Sequence, residues 1–295
     1  MSGSKTKVLV VGAAGHFAGL VVPALAGRGV SVRGLVRDEK QGEQARRNGA
    51  AEVAIGDLRN RASIDAALRG VGAAFYIAPV YQKDEAQMGL PFVAAAKAAG
   101  VRRIVFSSAI HPVIGKLQNH IQKVPVEEAV VESGMEFTIL NPTVFYQNLA
   151  AAWPGVVKAG TFAEPFSASA RISRVDYRDV AEVAAIAFAG DRLLNGTFEL
   201  CADGGLDRGE VAAVMGEVLG RPIEAIAPDF RTWVAQAELP YDEHQTEELK
   251  AMYDYYDRYG LVGNALTLRA ILGREPRSMR QFFADLVAGT KTTSG

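Results

Sequence analysis

Through its first 140 residues the chain alternates between two textures, and that alternation restricts the folds open to it. Short, largely β-branched runs occur at Val8–Val11, Ser31–Val36, Glu52–Ile55, Ala73–Ala78, Arg103–Ser108 and Phe137–Leu140. Between them lie alanine-rich stretches with helical spacing, at Leu20–Arg28, Lys40–Asn48, Ala62–Arg69, Asp84–Ala99 and Val126–Ser133. Gly29, Gly49, Gly70, Gly100 and Gly134 stand where those helices must end, because glycine accepts the left-handed backbone that closes a helix. Strands that are apolar throughout, rather than alternating, are covered on both faces. Repeated strand–helix–strand units bring such strands side by side in parallel through right-handed crossovers. The expectation is an α/β fold: a doubly wound parallel sheet of the Rossmann type over residues 5–150.

The rhythm breaks after Pro142. Scattered aromatics and prolines fill Val144 to Ser173. A helix then reads Arg178–Ala189, a strand Gly196–Cys201, a helix Arg208–Leu219, and an acidic, tyrosine-rich helix Tyr241–Tyr259. With no internal repeat and no low-complexity linker, residues 151–290 are expected to form a smaller substrate or lid lobe packed on the first domain, with some chain returning to that domain.

Composition narrows the class of partner. A formal net charge of −1 leaves no basic excess for nucleic acid or an anionic membrane. The one cysteine, Cys201, cannot build a disulfide framework and reads as a core thiol in a reducing compartment. No Cys/His spacing resembles a metal site. The polar start MSGSKTK lacks the pattern of a signal peptide, and no apolar run approaches the roughly 20 residues of a membrane helix. These features read as a soluble cytoplasmic protein, a monomer or homodimer, whose partner is a small molecule.

The stretch VLVVGAAGHFAG, residues 8–19, points to that molecule. It runs from a strand through glycines into a helix, with spacing G-x-x-G-x-x-A at Gly12, Gly15 and Ala18. A helix start offers unpaired N–H groups and the positive end of the helix dipole. A pyrophosphate satisfies both if no side chain blocks it. Gly12, Ala14, Gly15, His16 and Phe17 are therefore candidate cofactor contacts. At the end of the second strand, where an acid selects NAD, the sequence has Arg37, with Lys40 nearby and Asp38 adjacent. A guanidinium fork suits a 2′-phosphate, so NADP(H) is expected in preference to NAD(H). Asp57 and Leu58, after the third strand, are candidates for the adenine, although Asp57 or Asn60 can equally cap the next helix. Ala78 and Pro79, after the fourth strand, are candidates for the nicotinamide ribose.

With these residues assembled, the chain resembles the NmrA-like group of atypical short-chain dehydrogenases/reductases. VLVVGAAGHFAG resembles the cofactor turn, GLVRD the end of the second strand and GDL the adenine contact. VFSSA resembles the fifth strand, NHIQKVPVEEAVVESGMEFTILNPTVFYQNL the block after it, and VDYRDVAEVAA the segment that returns to the cofactor edge. GLVGNALTLRAILGREPRSMRQFFADL resembles the carboxy-terminal tail. The resemblance implies a Rossmann domain with a small carboxy-terminal lobe. It also implies either reduction of quinones, azo dyes or related acceptors, or NADP binding without turnover, as in redox sensors.

Typical short-chain dehydrogenases carry tyrosine and lysine four apart and a serine on the fifth strand. Here Ser107 and Ser108 end that strand, Ser107 as a candidate cofactor contact and Ser108 as a catalytic one. Lys123 is the lysine, implied to bind the nicotinamide ribose, but Asn119 stands where the tyrosine belongs. Asparagine cannot lend a proton and recover it. His120, with a suitable pKa range, or water is then the candidate proton donor, and His111 is a second histidine near the same edge. A quinone or activated alkene needs less help, since its reduction yields a delocalised anion. Pro142 and Val144 are expected along the nicotinamide. Tyr81, His111, Tyr146, Asn148 and Trp153 are expected to line the substrate site, and the tyrosines at 253, 255, 256 and 259 to pack the lobe or form a lid.

Overall fold

A computed structural model of the chain describes residues 6–202, 204–237 and 239–292. The first five residues of the polar start lie outside it. The chain divides into two compact units. The first comprises residues up to 115, then 119–141 and 177–198; the second comprises 116–118, 142–176 and 199 onward.

In the first unit, strands and helices follow one another in the expected alternation. The order is β1 (Val8–Val11), α1 (Ala18–Ala26), β2 (Val32–Val36), α2 (Glu39–Arg47), β3 (Glu52–Ile55), α3 (Arg61–Leu68), β4 (Ala73–Ile77), α4 (Glu85–Ala98) and β5 (Arg103–Ser107). Two helices, α5 (Gln118–Ile121) and α6 (Val124–Glu132), precede β6 (Glu136–Pro142). The five glycines expected at helix ends all have φ between +70° and +107°. Strands β1 to β6 pair in parallel.

The second unit begins with β7 (Val144–Phe145), a 3₁₀ turn at Tyr146–Leu149, α7 (Trp153–Ala159), β8 (Thr161–Ala163) and β9 (Arg174–Val175). The chain returns to the first unit for α8 (Tyr177–Ala189) and enters β10 (Gly196–Leu200). It finishes with α9 (Arg208–Leu219), β11 (Glu224–Ile226), α10 (Phe230–Ala237), α11 (Glu243–Tyr259), α12 (Leu266–Leu272) and α13 (Met279–Thr292).

The main sheet has seven strands in the order β10-β6-β5-β4-β1-β2-β3. This is the doubly wound fold expected from the sequence. The strand order reverses between β1 and β4, and ligands of open α/β sheets bind outside the carboxyl ends of the strands at such a point. One face of the sheet buries Leu9, Leu35, Ile64, Leu68, Phe92, Phe106 and Ile139 in a continuous core. Each such side chain contributes about 1.5–3 kcal/mol when fully withdrawn from water. At the amino edge, polar groups are tied down. Arg103 Nε meets Glu136 at 2.9 Å, and its Nη2 meets Asp191 at 2.7 Å.

The second unit has two small sheets, β7 with β9 and β8 with β11, both parallel. Trp153 stacks on Phe283 at 5.0 Å between ring centres, and Tyr146 packs on Phe282. Arg208 is buried with its guanidinium over the Phe166 ring. Cys201 is buried. Among the described residues, no helix is long and apolar enough to cross a membrane.

Close packing of β2 on the residue after Gly12 sets the first turn. A methyl group on Gly34 would lie 2.7 Å from the Ala13 methyl and 3.2 Å from that of Ala45. Neither neighbour has a flexible end to move. Gly34→Ala is therefore expected to cost about 1–3 kcal/mol by overpacking. Urea denaturation measures this; an unchanged stability would show that the turn is free to lift away from β2.

Candidate active site

The glycine turn sits at the carboxyl end of β1. Gly12 has φ +69°, a left-handed backbone. Its N–H donates to Leu35 O at 2.9 Å, and Gly15 N–H donates back to Gly12 O at 2.7 Å. A Cβ on Gly15 would lie 2.9 Å from that same oxygen, so the turn closes only without a side chain there. Gly12, Gly15 and His16 are exposed, while Ala14 and Phe17 are half-buried. Helix α1 follows with no side chain capping its first turn. Exposed N–H groups at an uncapped helix start, with backbone cleared of side chains, fit a phosphate group.

The next two strand ends resolve choices that sequence leaves open. Asp38 is the N-cap of α2, accepting from Gln41 N–H at 2.8 Å. The neighbouring Arg37 is exposed, and its guanidinium has no ion-pair partner among the described residues. The acid is thus engaged in the helix while the cation faces water. Likewise Asn60, not Asp57, caps α3. Asp57 is exposed and accepts from Arg59 N–H at 2.8 Å. Leu58 packs against the core.

After β4, Ala78 is half-buried and Pro79 exposed. Arg59 reaches across to grip this loop, donating to both Asp84 oxygens at 2.7 and 2.8 Å and to Gln82 Oε1 at 2.9 Å. Tyr81 within the loop has φ +55°, and His111, after β5, has φ +47°. A bulky residue in that region costs of order 1–3 kcal/mol, and such strain concentrates at functional sites. Among the described residues only Asn195 shares this backbone without being glycine.

Lys123 immediately precedes α6, whose first turn contains Pro125. Its ammonium is buried and ion-paired with Glu85, a buried carboxylate in the first turn of α4. Burial pushes the Glu85 carboxyl above its ordinary pKa, against the pull of the Lys123 charge. Four residues after Glu85 stands Gly89, where a Cβ would meet Val126 Cγ2 at 2.6 Å. The missing side chain lets α4 and α6 approach closely enough for the pair to form. Gln122 braces the same junction, accepting from Ala86 N–H at 3.1 Å and donating to Gln82 O at 3.3 Å. Sequence reasoning missed Glu85 because an acid in a first helical turn reads as a partner for the helix dipole. The signal was its spacing from Gly89 on one helix face.

His120 is buried, with Nδ1 3.3 Å from His111 O. A carbonyl only accepts, so the proton is assigned to Nδ1. Burial, the largest cause, lowers the His120 pKa to about 4. The ring is therefore neutral near pH 7.

The two serines at the end of β5 are both engaged. Ser108 Oγ donates to Glu127 Oε1 at 2.5 Å, and the same oxygen accepts from Asn141 Nδ2 at 2.9 Å. Ser107 Oγ lies 3.1 Å from the hydroxyl of Tyr177, in buried surroundings. Tyr177 also packs its ring on Phe17, 5.2 Å between centres. This phenol was likewise missed, being 70 residues from Ser107 in sequence.

In the second unit, Pro142 is buried and Val144 half-buried. Tyr146 and Trp153 are buried in the packing against Phe282 and Phe283, whereas Asn148 is exposed. Tyr253 stacks on Phe166 and meets Trp233 edge-on.

Comparison with known proteins agrees with this geometry. The model of the NmrA-like family matches residues 4–283. The chain belongs to the NmrA-like family. It is 30% identical over 282 residues to an NAD(P)H azoreductase of Xenophilus azovorans, covering 93% of this chain and 96% of the relative. The NADPH complex of an NADPH-dependent quinone oxidoreductase of Escherichia coli superposes with a TM-score of 0.81 at 20% identity, covering 95% and 99% of the two chains. NmrA, a negative transcriptional regulator in complex with NADP, superposes with a TM-score of 0.79 at 19% identity, covering 99% and 98%. These two structures share the fold of this NmrA-like chain.

The buried imidazole gives a measurable pH dependence. The unfolded chain protonates His120 near its ordinary 6.5, but the folded chain does so only near 4. Its contribution is complete above 6.5 and is lost as pH falls through that window. The loss is on the order of 3 kcal/mol. His120→Asn keeps a donor without the titration. Urea denaturation from pH 7 to 4 is expected to show a steeper loss in the parent than in the variant. Parallel curves would show that His120 titrates normally.

Proposed function

We propose that this chain is an NADP(H)-dependent oxidoreductase that delivers hydride to a small apolar or aromatic acceptor, such as a quinone, an azo compound, an enone or a carbonyl. The observation that carries this reading is the turn bare of side chains at Gly12 and Gly15, leading into the uncapped start of α1 at the strand-order reversal. Its relatives include an NAD(P)H azoreductase, which supports the same reaction class. NADP(H) is favoured because the Arg37 guanidinium has no ion-pair partner among the described residues while Asp38 is engaged as a cap.

When bound, the cofactor supplies a hydride from its nicotinamide. The residues of the chain bind and orient it. The uncapped N–H groups at the start of α1 hold the pyrophosphate, which Gly12 and Gly15 admit and Ala14, His16 and Phe17 rim. Arg37 holds the 2′-phosphate, and Asp57 and Leu58 flank the adenine. Ala78 and Pro79 bound the nicotinamide ribose, which Lys123 binds through an ammonium fixed by Glu85. Tyr81 and His111, on the loops after β4 and β5, shape the acceptor side. His120 is neutral with its proton directed at a carbonyl, so it orients the 111–120 segment and donates no proton near pH 7. Water serves as the proton source. That suits acceptors whose reduced form is a delocalised anion, and it accounts for function with Asn119 in place of tyrosine.

A second reading is an NADP-responsive regulator without turnover. Asn119 favours it, as does the likeness to a regulator solved with NADP. Mixing the protein with NADPH and then with quinones, azo dyes, enones and aldehydes separates the two. Nicotinamide fluorescence reports binding, and loss of nicotinamide absorbance reports oxidation. Oxidation by one class of acceptor is expected. Binding with oxidation by none would favour the regulator, and binding of neither NADPH nor NADH would overturn both.

Arg37→Asp tests cofactor choice. Removal of a charge-assisted contact to phosphate and its replacement by a like charge is expected to weaken NADPH at least about tenfold more than NADH. Equal weakening in fluorescence titrations would remove Arg37 from the 2′-phosphate site.

A further inference from the structure

The phenol absent from position 119 has a counterpart that spacing along the chain conceals. Tyr177 opens α8 and is wholly buried within the first unit. Its hydroxyl meets Ser107 Oγ at the carboxyl end of β5, and its ring packs on Phe17, the residue before α1. Helices α1 and α8 lie against each other, which holds the ring in place. One side chain therefore joins the phosphate turn to the end of β5, the neighbour of β4, after which Ala78 and Pro79 are proposed to bound the nicotinamide ribose.

We propose that Tyr177 is a positioning residue for the cofactor cradle, its ring buttressing the glycine turn through Phe17 and its hydroxyl fixing Ser107. The proposal rests on the NADP(H) oxidoreductase reading. The two functions sit on different parts of one side chain, so substitution can separate them. Burial holds the phenol protonated well above its ordinary range. Tyr177 is thus a hydrogen-bonding group, not the acid that Asn119 replaces. Ser107 gains a fixed orientation, since its hydroxyl is hydrogen-bonded to a buried partner.

The test uses the full chain, NADPH, and menadione or 1,4-naphthoquinone as acceptor. Tyr177→Phe keeps the ring and is expected to hold NADPH within about twofold of the parent while kcat falls about five- to tenfold, the effect of one lost hydrogen bond. Ser107→Ala should match it. The double variant should be no slower than either single, because both remove one interaction. Tyr177→Leu removes the buttress and should weaken NADPH at least about tenfold. Should that variant fail to fold, Phe17→Ala removes the same contact from its half-buried side and carries the same expectation. Unchanged kcat in Tyr177→Phe, additive losses in the double variant, or unchanged NADPH affinity in Tyr177→Leu and Phe17→Ala would overturn the proposal. A parent protein that binds NADPH but reduces no quinone, azo dye, enone or aldehyde overturns the oxidoreductase reading instead. NADPH affinity in Tyr177→Leu and Phe17→Ala then decides the buttress alone.

Discussion

The contact between Ala13 and Gly34 sets the geometry of the carboxyl edge. Ala13 is wholly buried against β2, where any side chain on Gly34 would strike it. That seating draws the backbone of Gly12 to Gly15 tight over the end of the strand. The left-handed Gly12 and the bare Gly15 then leave the start of α1 uncapped and open. A chain with ordinary side chains at these three glycines could form the same sheet. It could not close the same turn over the start of α1, because the turn would lift off β2 or a side chain at Gly15 would meet the Gly12 oxygen. The sheet needs only apolar strands; the turn needs specific vacancies.

The two edges of the sheet differ in how they treat charge. At the amino edge, Arg103 is saturated by Glu136, Asp191 and two carbonyls, which makes it structural. At the carboxyl edge, Lys123 is ion-paired with Glu85, in a setting where burial disfavours the carboxylate's charge. Taking ions from water costs several kcal/mol each, and their attraction offsets this only with good geometry. Well-packed apolar residues of similar volume would serve stability as well. A lysine kept there, held by a carboxylate that only Gly89 admits, is better explained by a need for an oriented ammonium than by stability.

Much of the fold was legible in the sequence. The strand starts and ends were readable because parallel strands are apolar throughout, and the helix ends because glycine marks them. The helix expected at Arg208–Leu219 spans those residues, and the structure shows why it starts there: Asp207 and Glu210 form a capping box. The second unit was less legible. Its strands β7, β8, β9 and β11 are two or three residues long, too short for periodicity to register. Helix α10 is only eight residues long and has no buried residue, so its apolar positions Phe230, Trp233, Val234 and Ala237 mark no core. At the candidate site, the turn and Arg37 were readable because each is local. Glu85 and Tyr177 were not, because each acts through a partner 38 or 70 residues away. Pairings of that range are set by which helices pack together, and local pattern carries no record of them.

Strain at the same edge bears on the choice between enzyme and regulator. Tyr81 and His111 hold left-handed backbones on the two loops that follow β4 and β5. Each conformation opposes folding, and each is held by surrounding contacts: the loop of Tyr81 by Arg59 and Gln122, the carbonyl of His111 by the His120 ring. A protein that only sensed cofactor would need the pyrophosphate turn after β1 and the 2′-phosphate contact after β2, neither of which lies on these two loops. Rigid, strained backbone beyond the nicotinamide end has a use when a second molecule must be held still against the first. The placement of strain therefore weighs toward an acceptor site, and so toward catalysis.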